Sequence, residues 1–331
     1  MTVGIYLPDQ PQSLPDGRPL RTSGAIHFAG RYRLIDFTLS NLVNSGITGV
    51  AIGLGSGYQT LVDHIGSGRD WDLARKIGGI TVYPPYATDG AASGVIERLR
   101  SGLRGYACDD AVICDAGVFY NLDYRPIVEA HRSQYSDITA IVTQRGGATV
   151  PLYTYVMSKS VALALLECID RDECGMRYVD CIVNSQFSVR TFEFTGYSGH
   201  VTDIGSFYRH NIEMLDKDKR NALFKNPAGR VYTSSRDSLP TVYGPDAEVS
   251  NSIIADGCQI YGTVRNSVLF RRVTVGRGAI VSDSILQPDT VAEPGSEISH
   301  AITDKFVLIT PRRSVEGSPG SPLYIPAHEV V

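Results

Sequence analysis

Three groups of residues in this chain have types and spacing that could do chemistry. The first is the stretch that follows the first apolar run, Leu7-Pro-Asp-Gln-Pro-Gln-Ser-Leu-Pro-Asp-Gly17. A loop there could bind phosphate if its backbone N–H groups converged, but three prolines remove donors and Asp9 and Asp16 repel anions. It is not a phosphate cradle. The second group is the six cysteines, at 108, 114, 168, 174, 181 and 258. None forms a C-x-x-C pair, and Cys108, Cys114 and Cys181 sit beside apolar or strand-like runs, which predicts free thiols in a reducing cytoplasm rather than zinc or disulfides. The third is the set of local basic clusters, which can bind phosphate even though the net charge is −4. That charge argues against nucleic acid or an anionic membrane as the main partner.

These residues need elements to position them. With 331 residues, 43% hydrophobic and 20% charged, the chain can build two domains with separate cores. Val3–Leu7, Gly49–Gly53, Ala111–Cys114 and Ile138–Val142 read as short buried strands. Leu34–Ser45, Ser93–Gly105 and Tyr124–Gln134 read as the helices between them. That alternation predicts an α/β domain with a mostly parallel, Rossmann-like sheet, whose ligands would lie beyond the carboxyl ends of the strands. The longest apolar stretches are strand-length, short of the roughly 20 residues a membrane span needs. No signal peptide is expected from the N-terminus.

After about residue 240 the helical periodicity stops. Asn251-Ser-Ile-Ile254, Asn266-Ser-Val-Leu269 and Asp283-Ser-Ile-Leu286 repeat, with Ser299-His-Ala-Ile302 as a weaker echo. Positions 252, 267, 284 and 300 are then 15, 17 and 16 residues apart. Leu269, Val275 and Val281, like Ile254 and Ile260, fall six residues apart, the mark of hexapeptide rungs in a β-helix. The expected division is an α/β domain over 1–215, a linker over 216–240 and a β-helix over 241–331.

The block Phe28-Ala-Gly-Arg-Tyr-Arg-Leu-Ile-Asp-Phe-Thr-Leu-Ser-Asn41 closely resembles one in bacterial ADP-glucose pyrophosphorylases (glucose-1-phosphate adenylyltransferases). Further matches follow in order: Asn44–Ile47, Tyr58-Gln59, Asp63–Gly66, Trp71–Leu73, Pro84–Tyr86, Tyr120–Tyr124, Asp203–Gly205 and Ser267–Arg272. The resemblance runs nearly end to end. It implies a nucleotidyltransferase-like domain followed by a left-handed parallel β-helix, and synthesis of ADP-glucose from ATP and glucose-1-phosphate for glycogen or starch.

The same resemblance implies a damaged active site. Nucleotidyl transfer needs charge neutralisation by magnesium, lysine, arginine and backbone N–H groups. The family's lysine, eight residues before the position of Arg31, is Ser23 here. Its first metal aspartate, three residues before Tyr120, is Gly117, and Asp115 is several ångströms along the chain. Its sugar-phosphate segment falls between Val142 and Tyr153, where only Thr143–Pro151 stands. Asp203 remains as the remnant of the second metal aspartate. No catalytic residue and no cofactor are expected for this chain, with magnesium left to a catalytic partner.

The effector-binding residues implied by the family are Arg21, His27, Arg33 and Arg272, with Arg31 as an added cation. Arginine's planar fork suits phosphate. This pattern resembles the GlgD-type subunits of Gram-positive bacteria. It implies a noncatalytic regulatory or assembly subunit in a mixed cytoplasmic tetramer, bound to a catalytic sister and answering to a phosphorylated metabolite or nucleotide. The Trp71 region and the β-helix surface are the expected contacts. An active pyrophosphorylase and a stand-alone sugar-phosphate or nucleotide sensor remain alternatives. An acyltransferase built on the same repeats is disfavoured by the front domain.

Overall fold

The computed structural model describes residues 1–7, 22–55, 57–85, 94–170, 187–235 and 237–331. These form two compact units, each discontinuous in sequence. The first holds Met1–Ile26, Leu34–His200 and Ala222–Ser234, and the second holds His27–Arg33, Val201–Asn221 and Ser235–Val331.

The core of the first unit is a seven-stranded sheet. Its strands are β1 (Thr2–Tyr6), β4 (Gly49–Gly53), β5 (Gly79–Tyr83), β6 (Asp110–Cys114), β8 (Ile138–Arg145), β9 (Ala148–Ser158) and β10 (Val189–Glu193), in the order β10-β8-β9-β6-β1-β4-β5. Four of the six pairings are parallel, because β9 runs antiparallel to both of its neighbours. Side chains alternate across β1. Val3 and Ile5 join one core with Leu99 and Leu103 of α3 (Val95–Gly105) and with Leu165 and Leu166 of α5 (Lys159–Asp170). Tyr6 joins the other core with Ile35, Leu39 and Leu42 of α1 (Leu34–Asn44). Burial on both faces is why the parallel strands read as continuous apolar runs. Gly4 is required by the closeness of α1, since a Cβ there would lie 2.7 Å from Leu42 Cδ1.

The second unit is a left-handed β-helix, with an added hairpin and helix. Three five-stranded parallel sheets stack one strand per coil. Val264, Val281, Ile298 and Val315 form one inward column, and Ile260, Val275, Ala292 and Ile309 another. Leu269, Val275 and Val281 are fully buried, as the six-residue spacing predicts. The repeated serine has a structural reason. Ser252 Oγ accepts the Ser267 N–H, Ser267 Oγ that of Ser284, and Ser284 Oγ that of Ala301, each at 3.1 Å. Each of these hydroxyls also donates to the carbonyl two residues before it. The residue preceding each serine turns the chain with positive φ: Asn251, Asn266 and Asp283. Short polar side chains tolerate that conformation best.

The fourth repeat corrects the expected register. Ile285 pairs with Ile302, so Ala301 takes the serine place and His300, at φ 47°, takes the turn place. The repeat is therefore 15, 17 and 17 residues.

The division at 215 and 240 also differs from expectation. The hairpin of β2 (His27–Phe28) and β3 (Tyr32–Arg33) belongs to the second unit. So does α6 (Ile204–Glu213). The proposed linker contains α7 (Lys217–Phe224). Residues 222–234 are fastened to the first unit, where Asn121 Nδ2 donates to the carbonyls of Leu223 and Gly229. A segment rich in glycine, proline and charge reads as a linker only when no buried side chain satisfies its backbone.

Candidate functional site

At the carboxyl end of β1 the Leu7 N–H donates to the Cys114 carbonyl at 3.0 Å. The proline-rich loop that follows, and Arg21 with it, lie outside the described residues. Ser23 is buried in a short 3-10 turn, Ser23–Ala25. Beyond β6, Asp115 Oδ1 accepts the Ala116 N–H at 2.7 Å. Gly117 follows with φ 87°, a conformation an aspartate would adopt only under strain. Behind it, Tyr120 and Tyr124 hydroxyls lie 3.0 Å apart, with Thr154 Oγ1 2.5 Å from Tyr120. Burial pushes the neighbouring Cys114 thiol up to about 12 and raises both phenols. These groups are neutral packing hydroxyls and a thiol, unsuited to nucleophilic work.

The β8–β9 connection decides what this end of the sheet can hold. Arg145 pairs with Ala148 and Gln144 with Thr149, which leaves only Gly146 and Gly147 to turn the chain, both at positive φ. Two-residue loops of this kind favour glycine because both centres need φ above zero. Such a turn supplies no side chain to a ligand.

In the second unit, Asp203 is the N-cap of α6. Its Oδ1 accepts the Ser206 N–H at 2.7 Å, Oδ2 accepts the Thr202 hydroxyl at 3.0 Å, and Ser206 Oγ accepts the Asp203 N–H. The Ser206 backbone bond, above all, holds its carboxyl below the usual range. A magnesium site needs carboxylates with free oxygens. Here one position is glycine and the other is a committed cap. Among the described residues no group of three or more His, Cys, Asp or Glu is disposed to hold a metal. The residues do not fit the ion.

The implied effector residues are placed unequally. His27 Nδ1 lies 3.1 Å from Gln287 Oε1, and its ring packs on Phe270 at 5.3 Å. Arg33 pairs opposite His27 in the hairpin and is buried. Arg31 is exposed at the hairpin turn. Arg272 follows Phe270 by two residues, and its guanidinium donates to both Asp289 oxygens at 2.6 and 2.7 Å. The structure thus brings His27 to the coil that carries Arg272. Sequence reasoning missed Gln287 and Asp289. Asp289 lies 17 residues after Arg272, one coil on, so the repeat period carried a signal for it.

In the Trp71 region the indole itself lies in the core of the first unit. The indole is buried against His64, whose Nε2 is 2.5 Å from the fully buried Asp36 Oδ1. This pair ties α1 to α2 (Gln59–Ile65), which accounts for several of the motif residues as packing. Among the described residues no helix is long and apolar enough to cross a membrane.

Residues 21–160 match the nucleotidyl transferase family, and residues 241–318 match the GlmU-like, C-terminal hexapeptide family. The class is therefore that of nucleotidyltransferase-type proteins whose sheet domain is followed in sequence by a hexapeptide β-helix. The chain is 31% identical over 325 residues to the glycogen biosynthesis protein GlgD of Bacillus subtilis (strain 168), covering 95% of this chain and 92% of that protein. It is 35% identical over 271 residues to GlgD of Geobacillus stearothermophilus, covering 79% and 77%. The glucose-1-phosphate adenylyltransferase of Clostridium perfringens (strain 13 / Type A) is 28% identical over 312 residues, covering 81% and 78%. The chain belongs to the GlgD-type branch of the ADP-glucose pyrophosphorylase family.

Proposed function

We propose that this chain is a noncatalytic regulatory and assembly subunit of ADP-glucose pyrophosphorylase in glycogen biosynthesis. It acts in the cytoplasm on a catalytic sister subunit within a mixed tetramer. The observation that carries the reading is the Gly146–Gly147 turn between β8 and β9. In the family resemblance, that connection bears the segment that holds the sugar phosphate. Gly117 and the capped Asp203 support the same reading, because the first carries no carboxylate and the second has its carboxylate committed to a helix cap. Each missing transition-state donor costs about 10²- to 10³-fold in rate, so the combined loss leaves no useful turnover.

The regulatory half of the proposal assigns phosphate reading to Arg31, Arg33 and Arg272. An effector phosphate at Arg272 has to displace Asp289, so binding there is an exchange of one charge-assisted pair for another. An effector alters activity only when it favours one state of the complex over the other.

The test is synthesis of ADP-glucose from ATP, glucose-1-phosphate and magnesium. The purified chain alone is expected to give background rates, and the chain mixed with the glucose-1-phosphate adenylyltransferase of the same cell is expected to change that enzyme's rate or effector response. Robust turnover by the chain alone overturns the noncatalytic assignment. An unchanged sister enzyme overturns the regulatory one.

A further inference from the structure

A cavity of about 270 Å³ opens at the amino ends of the strands of the first unit, away from the carboxyl ends where ligands of such a sheet lie. One wall is a single face of α4 (Arg125–Ser133), formed by Arg125, Val128, Glu129 and Arg132 at the three- and four-residue spacing that brings helix side chains together. Thr2, at the start of β1, and Ser45 and Ile47, between α1 and β4, close the other side. Val128 and Ile47 are buried and make its apolar part. The volume suits a molecule smaller than a nucleotide.

The charges around the cavity are unevenly committed. Arg125 donates from Nε and Nη2 to Asp123 Oδ2 at 2.9 and 2.7 Å, and Arg132 donates from Nε and Nη2 to Asp110 Oδ2 at 2.8 and 2.5 Å. Nη1 of each guanidinium is left without a hydrogen-bond partner among the described residues. Glu129 stands four residues after Arg125 and three before Arg132, within reach of either on a helix. It pairs with neither, and has no ion-pair partner among the described residues. A phosphate or a nucleotide would be repelled by that carboxylate, which sets the ligand of this cavity apart from the phosphate read by Arg31, Arg33 and Arg272. A simple cation would leave both Nη1 groups unused. A molecule that carries both charges close together satisfies both kinds of group: its carboxylate accepts from an arginine Nη1 and its ammonium donates to Glu129. We propose that this cavity binds a small zwitterion of the α-amino acid class, with an uncharged side chain against Val128 and Ile47.

Ligand-observed NMR titration of the full chain, with L-alanine as the probe, tests this. Propionate and ethylamine, which each carry one half of the zwitterion, and inorganic phosphate are the comparisons. L-alanine is expected to bind at millimolar concentration, and each comparison to bind about tenfold more weakly or worse, the worth of one charge-assisted hydrogen bond. Arg125→Ala and Glu129→Gln are each expected to weaken L-alanine by a similar factor. Both side chains are exposed, so these variants keep the fold. Arg132 is left in place because its removal would strand the buried Asp110. No binding of L-alanine overturns the proposal. Ethylamine binding as tightly as L-alanine overturns it in favour of a cation site, and phosphate or propionate doing so overturns it in favour of an anion site. Undiminished L-alanine affinity in both variants places the amino acid elsewhere and overturns it as well. None of these results bears on ADP-glucose synthesis, so the subunit reading stands or falls on its own test.

Discussion

Asp203 keeps the residue type of a metal ligand while both of its oxygens serve the start of α6. Its reciprocal bonds with Ser206 form a capping box, which satisfies N–H groups that a helix start otherwise leaves open. Asp203→Ala is therefore expected to lower stability by about 0.5–2 kcal/mol, read as a shift in the urea midpoint. The carboxyl is held below its ordinary value, so its contribution is complete above the unfolded carboxylate range of about 4 and fades as pH falls through the lower folded value. The difference between parent and variant should shrink below pH 4. A constant difference from pH 7 to pH 3 would show that the cap acts by shape rather than by charge. The same residue shows how far a site can be read from sequence. Residue types at Gly117 and Ser23 were legible. The commitment of Asp203 was not, because a cap and a metal ligand carry the same letter.

The coils of the β-helix were legible because their signal is local: an aliphatic every sixth residue and a small polar residue at each corner. The fourth repeat departs from that signal, because His300 stands at the turn place of Asn251, Asn266 and Asp283 and Ala301 at the serine place. Ala301 fits that corner through its N–H alone, and His300 tolerates the left-handed turn. The reversed strand β9 was not anticipated, since its signal is only the Gly146–Gly147 turn and Pro151 interrupts the run. For the coils, Leu269→Ala is expected to cost about 2–5 kcal/mol, the price of a core cavity. Ser267→Ala, which removes two ladder bonds and leaves the Ser284 N–H without its acceptor, is expected to cost about 1–3 kcal/mol. Thermal unfolding followed by circular dichroism checks both. Equal loss in the two variants would mean the ladder matters as much as the core.

At the scale of the whole molecule, regulation should separate the exposed cation from the anchored ones. Arg31 is exposed at the hairpin turn, so Arg31→Ala is expected to leave folding and assembly unchanged. Half-saturation of the mixed enzyme by inorganic phosphate or a sugar bisphosphate is expected to rise by about tenfold, the worth of one charge-assisted contact. Asp289→Asn should act in the opposite direction, because it releases Arg272 for phosphate. If both variants titrate like the parent, these arginines are structural. The partition of the chain was the least legible feature of all. His27 and Gln287 are 260 residues apart, and nothing local in either stretch announces that they meet.

That separation has a consequence for synthesis on the ribosome. The hairpin 27–33 is made among the first segments, yet Phe270 and Gln287, which cover His27, are made near the last. At about 5–20 residues per second, the hairpin waits roughly 10–50 s for its cover. Throughout that interval the His27 ring lacks the Phe270 and Gln287 partners it has in the finished fold, and the nascent hairpin offers a chaperone that uncovered face until the β-helix arrives.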